Sequence, residues 1–179
     1  MANQIEFKDL VIYLSLAIAI TLIVYYIPNY YYLKSSIASI SSSILSILDL
    51  SAPIQHIEGH VILGNYEIVR ECTGIQVMAV FLGLILPLPK TSWRKKTFSL
   101  IVMGTLLYVS NLFRVVLEIW LVENKILPYS IAHYPLSLIM GIIGVFFLVL
   151  INNSIIPEFG NYIFSIVKKL EKLVRILRR

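Results

Sequence analysis

The chain has 179 residues, of which 58% are hydrophobic and 14% are charged, and its formal net charge is +5. Soluble domains average about 45–50% apolar and about 25% charged residues, so this composition indicates a membrane protein rather than a soluble enzyme. The single cysteine excludes an internal disulfide and Cys-rich zinc or iron–sulfur sites within one chain. The basic residues cluster beside apolar segments, which favours phospholipid headgroups over nucleic acid as their partner.

Four apolar segments are long enough to cross a membrane, since a spanning helix needs about 20 apolar residues. They are Leu10–Ile27, Cys72–Pro89, Phe98–Val122 and Leu136–Ile156. Prolines stand where three of them end, at Pro28, at Pro87 and Pro89, and at Pro157. The first segment is followed by no small-residue cleavage site, so we expect a retained membrane helix rather than a signal peptide.

A fifth segment, Ser35–Leu50, is amphipathic and short for a span. Its apolar residues recur at helical spacing and its serines fill the other side, with Ile37, Ile40, Ile44, Ile47 and Leu48 opposite Ser35, Ser36, Ser39, Ser42, Ser43 and Ser46. This pattern predicts a helix that lies in the membrane interface or packs on the helix bundle. We expect an N-terminal part over residues 1–50, a membrane core over 51–156, which would hold any active site, and a tail over 157–179.

A short β-hairpin is predicted between the first two spans. The β-prone runs His60–Leu63 and Tyr66–Val69 flank Gly64-Asn65, which is a two-residue turn signal. The second run leads directly into Cys72. The hairpin is therefore either a covering lid or an edge that binds an extended peptide beside the thiol.

The last predicted element is the basic tail Tyr162–Arg179. Its apolar residues fall on one helical face, with lysines and arginines opposite: Ile163, Ile166, Val167, Leu170, Leu173, Val174 and Leu177. This pattern predicts an amphipathic helix on anionic lipid, where each cation contributes about 1 kcal/mol near the surface.

Lysine and arginine residues are distributed unevenly about the predicted spans. Eleven lie at the N-terminus, in loop 90–96 or in the tail, and three lie on the opposite side, namely Lys34, Arg70 and Lys125. Cytoplasmic loops retain positive charge, so both chain ends and loop 90–96 are predicted to face the cytoplasm. If Ser35–Leu50 crosses the membrane instead, only the N-terminus changes sides.

Three reactive side chains reach the same predicted outer layer from separate helix ends. Cys72 begins the second span, and His133 directly precedes the fourth. Arg114 lies about 24 Å along the third span from Phe98, at 1.5 Å per residue. The hydrocarbon core is about 30 Å thick, which puts Arg114 in its outer quarter. A thiol at the start of a helix is expected to have a lowered pKa.

Each of these residues also has a purely structural interpretation. A lone membrane cysteine is most often a small hydrophobe. Arg114 has Glu118 one turn later at i,i+4 and Asn111 at i,i−3 on the same helical face. An interfacial histidine such as His133 indicates little by itself.

Two further histidines belong to the same outer loop and compete with His133 for the role of base. The spacing of His56, Glu58 and His60 is suggestive of zinc ligands but lacks the helical context of a zinc motif. We therefore expect no metal site here.

These residues together resemble the motifs of the exosortase/archaeosortase family of membrane cysteine transpeptidases. That family has a Cys followed by Ser or Thr and Gly, an Asn-x-x-Arg on the next helix, and a His or Arg near the start of the helix after that. The matching residues are Cys72-Thr73-Gly74 in "ECTGIQ", Asn111 and Arg114 in "NLFRVVLE", and His133. The resemblance covers about residues 55–155.

The resemblance implies an all-α integral membrane protein of an archaeal or bacterial cell membrane, with its active site at the outer face. We expect about four transmembrane helices, an amphipathic helix, a short outer β-hairpin and a basic amphipathic C-terminal helix. The implied substrates are secreted proteins that end in a short motif, a hydrophobic span and a basic tail. The family is thought to cut at the motif and transfer the protein to a lipid, without a metal or organic cofactor.

The roles expected for the residues follow acyl-transfer chemistry. Cys72 attacks the scissile carbonyl, and His133 activates the thiol and protonates the leaving amine. Arg114 either stabilises the oxyanion or holds the substrate backbone. The expected supporting residues are Thr73, Gly74, Asn111 and Glu118. Asn111 is expected to orient Arg114 or to donate to the oxyanion, and Glu118 to hold Arg114. Two alternatives stay open: a non-enzymatic scaffold or transporter subunit in which Arg114 and Glu118 form a structural pair, and a simple intramembrane cysteine protease.

Overall fold

The computed structural model describes residues 7–26 and 29–177. In chain order the elements are α1 (Phe7–Tyr26), α2 (Tyr31–Ile47), β1 (Ile54–Ile57), β2 (His60–Leu63), β3 (Tyr66–Glu67), a 3-10 turn (Arg70–Thr73), α3 (Ile75–Ile85), α4 (Trp93–Glu123), α5 (Tyr129–Ile131), a π-helical segment (Ala132–Leu136), α6 (Ser137–Ile155) and α7 (Pro157–Leu177). The predicted class, an all-α membrane protein with a small β element, is confirmed. Ile27, Pro28 and the arginines that end the predicted tail lie outside the described residues.

Among the described residues, three helical segments are long and apolar enough to cross a membrane. They are Phe7–Tyr26, Trp93–Glu123 and the continuous Tyr129–Ile155, whose mean hydropathy is 2.5. Their apolar side chains are largely exposed at the molecular surface, as lipid contact requires. The first, third and fourth predicted spans are therefore found as helices of spanning length.

The second predicted span, Cys72–Pro89, differs from the prediction. A 3-10 turn takes its first residues, and the α-helix that follows, Ile75–Ile85, has only 11 residues. Gly74 separates the two because its φ of 71° is left-handed and interrupts α-helical geometry. Hydropathy alone does not register such a break.

Helix α3 packs antiparallel against α1. The Tyr13 hydroxyl donates to the Leu84 carbonyl at 2.8 Å, and the Thr21 hydroxyl donates to the Ala79 carbonyl at 3.3 Å. A Cβ added at Gly83 would collide with Thr21 and with the Ala17 carbonyl of α1. The missing side chain at Gly83 is what lets the two helices approach closely, as small residues do between membrane helices.

Two clusters of buried side chains stabilise the fold, and α4 contributes to both. The membrane cluster consists of Leu10, Tyr13, Phe81, Ile85, Leu88, Met103, Leu107, Leu148, Ile156, Phe159 and Ile166. The sheet cluster consists of Ile37, Ala38, Leu45, Ala52, Val61, Leu63, Ile68, Cys72, Val115, Val116 and Ile119. The N-terminal half of α4 belongs to the first and its C-terminal half to the second, so α4 connects the two ends of the molecule.

The β element is a three-stranded antiparallel sheet in the order β1-β2-β3. The predicted pairing of β2 with β3 around Gly64-Asn65 is confirmed, with Leu63 opposite Tyr66. Strand β1 was not predicted. It is joined to β2 by Glu58 and Gly59, whose φ values are 50° and 86°. A glutamate rarely adopts positive φ, so this turn lacks the Asn-Gly or Asp-Gly signal by which hairpins are found.

Helix α2 packs on the sheet and on the C-terminal half of α4, in agreement with a helix packed on the bundle. Its buried face is different from the predicted one. Ile37, Ala38, Ser41 and Leu45 are buried, while Ile40 and Ile47, which the pattern placed on the apolar face, are exposed. Small residues at 38 and 41 let α2 approach its neighbours closely. The face that carries these small residues is therefore buried in preference to the face with more of the large apolar residues.

Helix α7 begins at Pro157, a residue suited to a first helical turn. It is strongly amphipathic, as predicted for the tail, but its first half is not free. Phe159 and Ile166 are buried in the membrane cluster, and the Tyr162 ring meets the Tyr13 ring edge-on at 4.8 Å. The tail helix is thus anchored on α1 and α6 before its basic end.

Candidate active site

Cys72 lies in the 3-10 turn at the junction between β3 and α3. Its backbone N–H donates to the Val69 carbonyl at 3.0 Å, and the residue is 6% exposed within the sheet cluster. The Thr73 hydroxyl donates to the Arg70 carbonyl at 2.7 Å and accepts from the Ile75 N–H at 3.3 Å. Thr73 therefore fastens both ends of the turn and fixes the backbone that carries the thiol.

Gly74 is required by a close approach between this turn and α4. A Cβ added at Gly74 would collide with the side-chain amide of Asn111. That amide donates to the Leu107 carbonyl of its own helix at 2.9 Å. Asn111 therefore contacts the turn beside Cys72, and its amide hydrogen bond is not made to Arg114, in contrast to one of its expected roles.

Glu118 is the centre of the polar contacts at this end of the molecule. Its carboxylate binds Arg114 Nη1 at 3.4 Å on the same helix. It also contacts His133 Nδ1 at 3.3 Å and accepts a hydrogen bond from the Ser137 hydroxyl. Only 11% of the Glu118 side chain is exposed, so a single buried carboxylate joins α4, the π-helical segment and α6.

His133 lies in the π-helical segment, where Pro135 interrupts the regular α-helix because it has no backbone N–H. Its ring stacks on Tyr129 at 5.1 Å and 9° and meets Tyr134 edge-on at 5.0 Å. With Nδ1 directed at Glu118, Nε2 is the nitrogen left for another partner. The carboxylate and the two tyrosines together fix the orientation of the imidazole.

A small cavity of about 30 Å³ brings these groups together. It is lined by Tyr66, Glu67, Ile68, Cys72, Val115, Glu118, Ile119, Tyr129 and His133. A water molecule needs at least about 10–15 Å³, so the cavity has room for about two. The thiol, the carboxylate and the imidazole therefore face one partly open cavity.

Arg114 is not among the lining residues but adjoins the cavity, beside Glu118 and the Cys72 thiol. Its side chain is 15% exposed. Nε and Nη2 are buried and have no hydrogen-bond partner among the described residues. Unpaired buried guanidinium donors are costly, which makes them candidates for binding an anionic group.

The electrostatics of the thiol differ from the prediction. Cys72 lies outside the three helical segments of spanning length. Its burial raises the pKa of the thiol. The charge of Arg114 lowers that pKa, and the Glu118 carboxylate raises it. Because burial has the largest effect, the pKa of Cys72 is raised overall. A helix terminus was expected to lower the pKa of Cys72. Desolvation of the thiol inside the sheet cluster has the larger effect and raises it.

The competing histidines belong to other contacts. His56 Nδ1 lies 3.1 Å from the Tyr31 hydroxyl, and His60 Nδ1 lies 2.6 Å from the Glu67 carboxylate. Neither lines the cavity that contains Cys72. Over residues 7–26 and 29–177, no group of three or more His, Cys, Asp or Glu side chains is arranged to hold a metal ion.

Three contributors to the site were missed in the sequence. Ser137 follows His133 at i+4 and Tyr129 precedes it at i−4, so a helical projection would have shown both beside the imidazole. Tyr66 comes from the sheet, donates to Glu123 at 2.9 Å and stacks on Tyr129 at 5.8 Å. No periodicity in the sequence connects Tyr66 with a helix more than fifty residues away.

The fold and the site define a helical membrane protein with a buried thiol, a buried carboxylate and a half-buried imidazole around one cavity. A family model for transmembrane exosortases matches residues 7–151. The match covers well over half of the chain, which therefore belongs to the transmembrane exosortase family. No curated protein and no solved structure is significantly similar to the chain.

Proposed function

We propose that the chain is a membrane cysteine transpeptidase that cleaves C-terminal sorting signals of secreted surface proteins and transfers the proteins to a lipid. The observation that carries the proposal is the cavity shared by Cys72, Glu118 and His133, with Arg114 bound to Glu118 beside it. Membership of the exosortase family supports this reaction class and the substrates with a motif, a hydrophobic span and a basic tail.

Acylation begins at the thiol. His133 Nε2 removes the thiol proton, and the sulfur forms a bond to the scissile carbonyl carbon of the substrate. The C–N bond then breaks, the imidazolium gives its proton to the leaving amine, and the products are a thioester and the released C-terminal segment. The raised pKa of Cys72 means that the resting thiol is protonated, so activation depends on the nearby base.

Glu118 acts in this scheme as a positioning residue. By accepting from Nδ1 of His133 it selects the tautomer that leaves Nε2 unprotonated, and it stabilises the imidazolium once that forms. Arg114 stabilises the oxyanion, because Nε and Nη2 are donors without a partner in the described part of the chain. Arg114 is not a candidate for the base, because a guanidinium group stays protonated in proteins.

Deacylation transfers the protein to its acceptor. A nucleophilic hydroxyl or amine of a lipid attacks the thioester carbon, the C–S bond breaks, and the proton lost by the nucleophile returns to the thiolate through His133. The uneven distribution of cationic residues supports an active site at the outer face of the cell membrane. There a secreted protein with its C-terminal helix still in the bilayer would bring its motif to Cys72.

The test is the processing of a co-expressed protein that carries such a C-terminal signal. Cys72→Ala is expected to abolish loss of the C-terminal segment, because no other thiol exists in the chain. Cys72→Ser is expected to be inactive as well, since a serine hydroxyl is a far weaker acid than a thiol. Both variants should insert and fold, and the readout is the electrophoretic shift of the substrate.

Two outcomes would favour the alternatives. Normal processing by Cys72→Ala would remove the cysteine-enzyme proposal and favour a scaffold, in which Arg114 and Glu118 are a structural ion pair. Cleavage by the unmodified chain without a lipid on the product would instead favour a protease that uses water as acceptor.

A further inference from the structure

The free edge of β3 adjoins the cavity that contains the thiol. We infer that this edge binds the recognition motif of the substrate as an added, extended strand, and that the strand delivers the scissile carbonyl to Cys72. The inference rests on the proposed function and assigns the substrate-binding surface of the same site. The ligand class is an extended peptide segment that directly precedes a hydrophobic span.

The pairing within the sheet determines which backbone groups face outward. Ile68 N–H donates to the Val61 carbonyl at 2.8 Å, so Ile68 faces β2. Bonded and non-bonded pairs alternate along an antiparallel ladder, and Glu67 lies opposite Ile62 in a non-bonded pair. The N–H and C=O of Glu67 therefore point away from β2, toward the open side of the sheet.

The next outward groups lead to the nucleophile. By the same alternation Val69 N–H faces outward, and the Val69 carbonyl accepts from the Cys72 N–H at 3.0 Å. A peptide paired with Glu67 and Val69 would lie about 4.8 Å from β3. Its chain would then pass alongside the turn that carries the thiol.

The two edges of the sheet are not equivalent. Helix α2 packs on β1 and β2. Within the described part of the chain, the main packing partner of β3 is β2. Glu67 is exposed, and both Glu67 and Ile68 line the cavity together with Cys72. The β1 edge carries none of the cavity residues. Of the two edges, β3 is thus the one that is continuous with the proposed chemistry.

An added strand would bind through main-chain groups, which every protein substrate has. Main-chain hydrogen bonds from a sheet edge give affinity that does not depend on side chains, while pockets at alternate positions give specificity. Tyr66 and Tyr129, which stack at 5.8 Å and line the cavity, are the aromatic side chains nearest to such a pocket.

The experiment compares Glu67→Pro with Glu67→Ala, both in the inactive Cys72→Ala background. Both changes remove the carboxylate that contacts His60, but only proline also removes the outward N–H. The measurement is the fraction of a co-expressed protein with a C-terminal motif, span and basic tail that copurifies in detergent. Glu67→Pro is expected to lower capture about tenfold, as loss of one or two main-chain hydrogen bonds would, and Glu67→Ala to leave it nearly unchanged.

A second control is His56→Pro, which removes an outward N–H at the opposite edge and should not lower capture. Equal capture by Glu67→Pro and Glu67→Ala would overturn the inference. The proposed function would still stand in that case, since it is decided separately by whether Cys72→Ala processes the substrate.

A substrate-side measurement covers the case in which Glu67→Pro fails to fold. Synthetic peptides with the ten residues that precede the span of the same substrate are N-methylated one position at a time and used to inhibit processing by the unmodified chain. An added strand predicts that inhibition weakens at alternate positions only, because alternate amides face β3. Uniform or absent sensitivity would contradict strand addition.

Discussion

At the scale of single residues, one carboxylate organises the site. Glu118 has three donors from three different elements: the Arg114 guanidinium, the His133 ring and the Ser137 hydroxyl. A buried carboxylate needs this number of partners to stay charged at low cost. The consequence is that Arg114 and His133 hold their positions through Glu118 rather than through each other.

The first prediction uses the fact that Cys72 is the only cysteine, so alkylation reports on one thiol. A positive neighbour stabilises the thiolate and a negative neighbour destabilises it. Arg114→Gln is therefore expected to raise the pKa of Cys72, and Glu118→Gln to lower it. The measurement is the rate of iodoacetamide alkylation against pH in detergent, with Ser137→Ala as the uncharged control. Shifts in the opposite directions would show that these charges do not act on the thiol.

The same variants separate thiol acidity from catalysis. Glu118→Gln makes the thiol more acidic but removes the carboxylate that orients His133, so processing is expected to fall by about 100-fold or more despite a more reactive sulfur. Processing that improves together with alkylation would show that His133 is not the base.

The sequence contained part of this arrangement. The i,i+4 spacing of Arg114 and Glu118 predicted their contact, which is present at 3.4 Å. The contact of Glu118 with His133 depends on α4 packing against the π-helical segment, and no local spacing encodes that packing. The acidity of Cys72 was misjudged for the same reason, since its burial arises from residues distant in sequence.

At the scale of elements, the left-handed residue at Gly74 sets where the thiol turn ends and α3 begins. Gly74→Ala is the second prediction. The left-handed backbone costs a side chain about 1–2 kcal/mol, and the added Cβ also collides with the Asn111 amide. We expect a lower melting temperature in detergent and impaired processing.

A matched double variant tests the cause. Asn111→Ala added to Gly74→Ala removes the collision but keeps the backbone strain, so it should recover part of the lost stability. Recovery of none of it would indicate that the contact between the turn and α4 is unimportant. Gly141→Ala serves as control, because a Cβ there meets no neighbouring atom.

Elements were predictable to different degrees, and the reasons are physical. The helices around Leu10, Phe98 and Leu136 follow from long, predominantly apolar runs, because a segment that crosses a bilayer must satisfy its backbone polar groups within a helix. The break at Gly74 and the π-helical segment at Pro135 arise from single residues inside such runs, where window averages conceal them. Strand β1 is joined to β2 by a turn that contains a glutamate with positive φ. Glutamate rarely adopts this conformation, so its backbone propensity gave no sign of the turn.

At the scale of the whole molecule, the thiol cavity and the sheet lie at one end of α4 and the loop before Trp93 lies at the other. The charge distribution predicts that the sheet end faces outward. In a Cys72→Ala background, Asn65→Cys in the hairpin should react with a membrane-impermeant maleimide on intact cells, and Thr91→Cys should react only after permeabilisation. The reverse pattern would invert the orientation and remove the outer-face site.

The order in which the site residues occur along the chain has a consequence for biosynthesis. Cys72 is translated first, Arg114 and Glu118 follow, and His133 and Ser137 come last. Chains fold from the N-terminus as they are made. Until α6 has inserted and packed on α4, the proposed base is not in place beside the thiol, and the carboxylate lacks two of its three donors. For an enzyme of the proposed kind, a half-synthesised chain would be harmless to the nascent secreted proteins that cross the same membrane beside it.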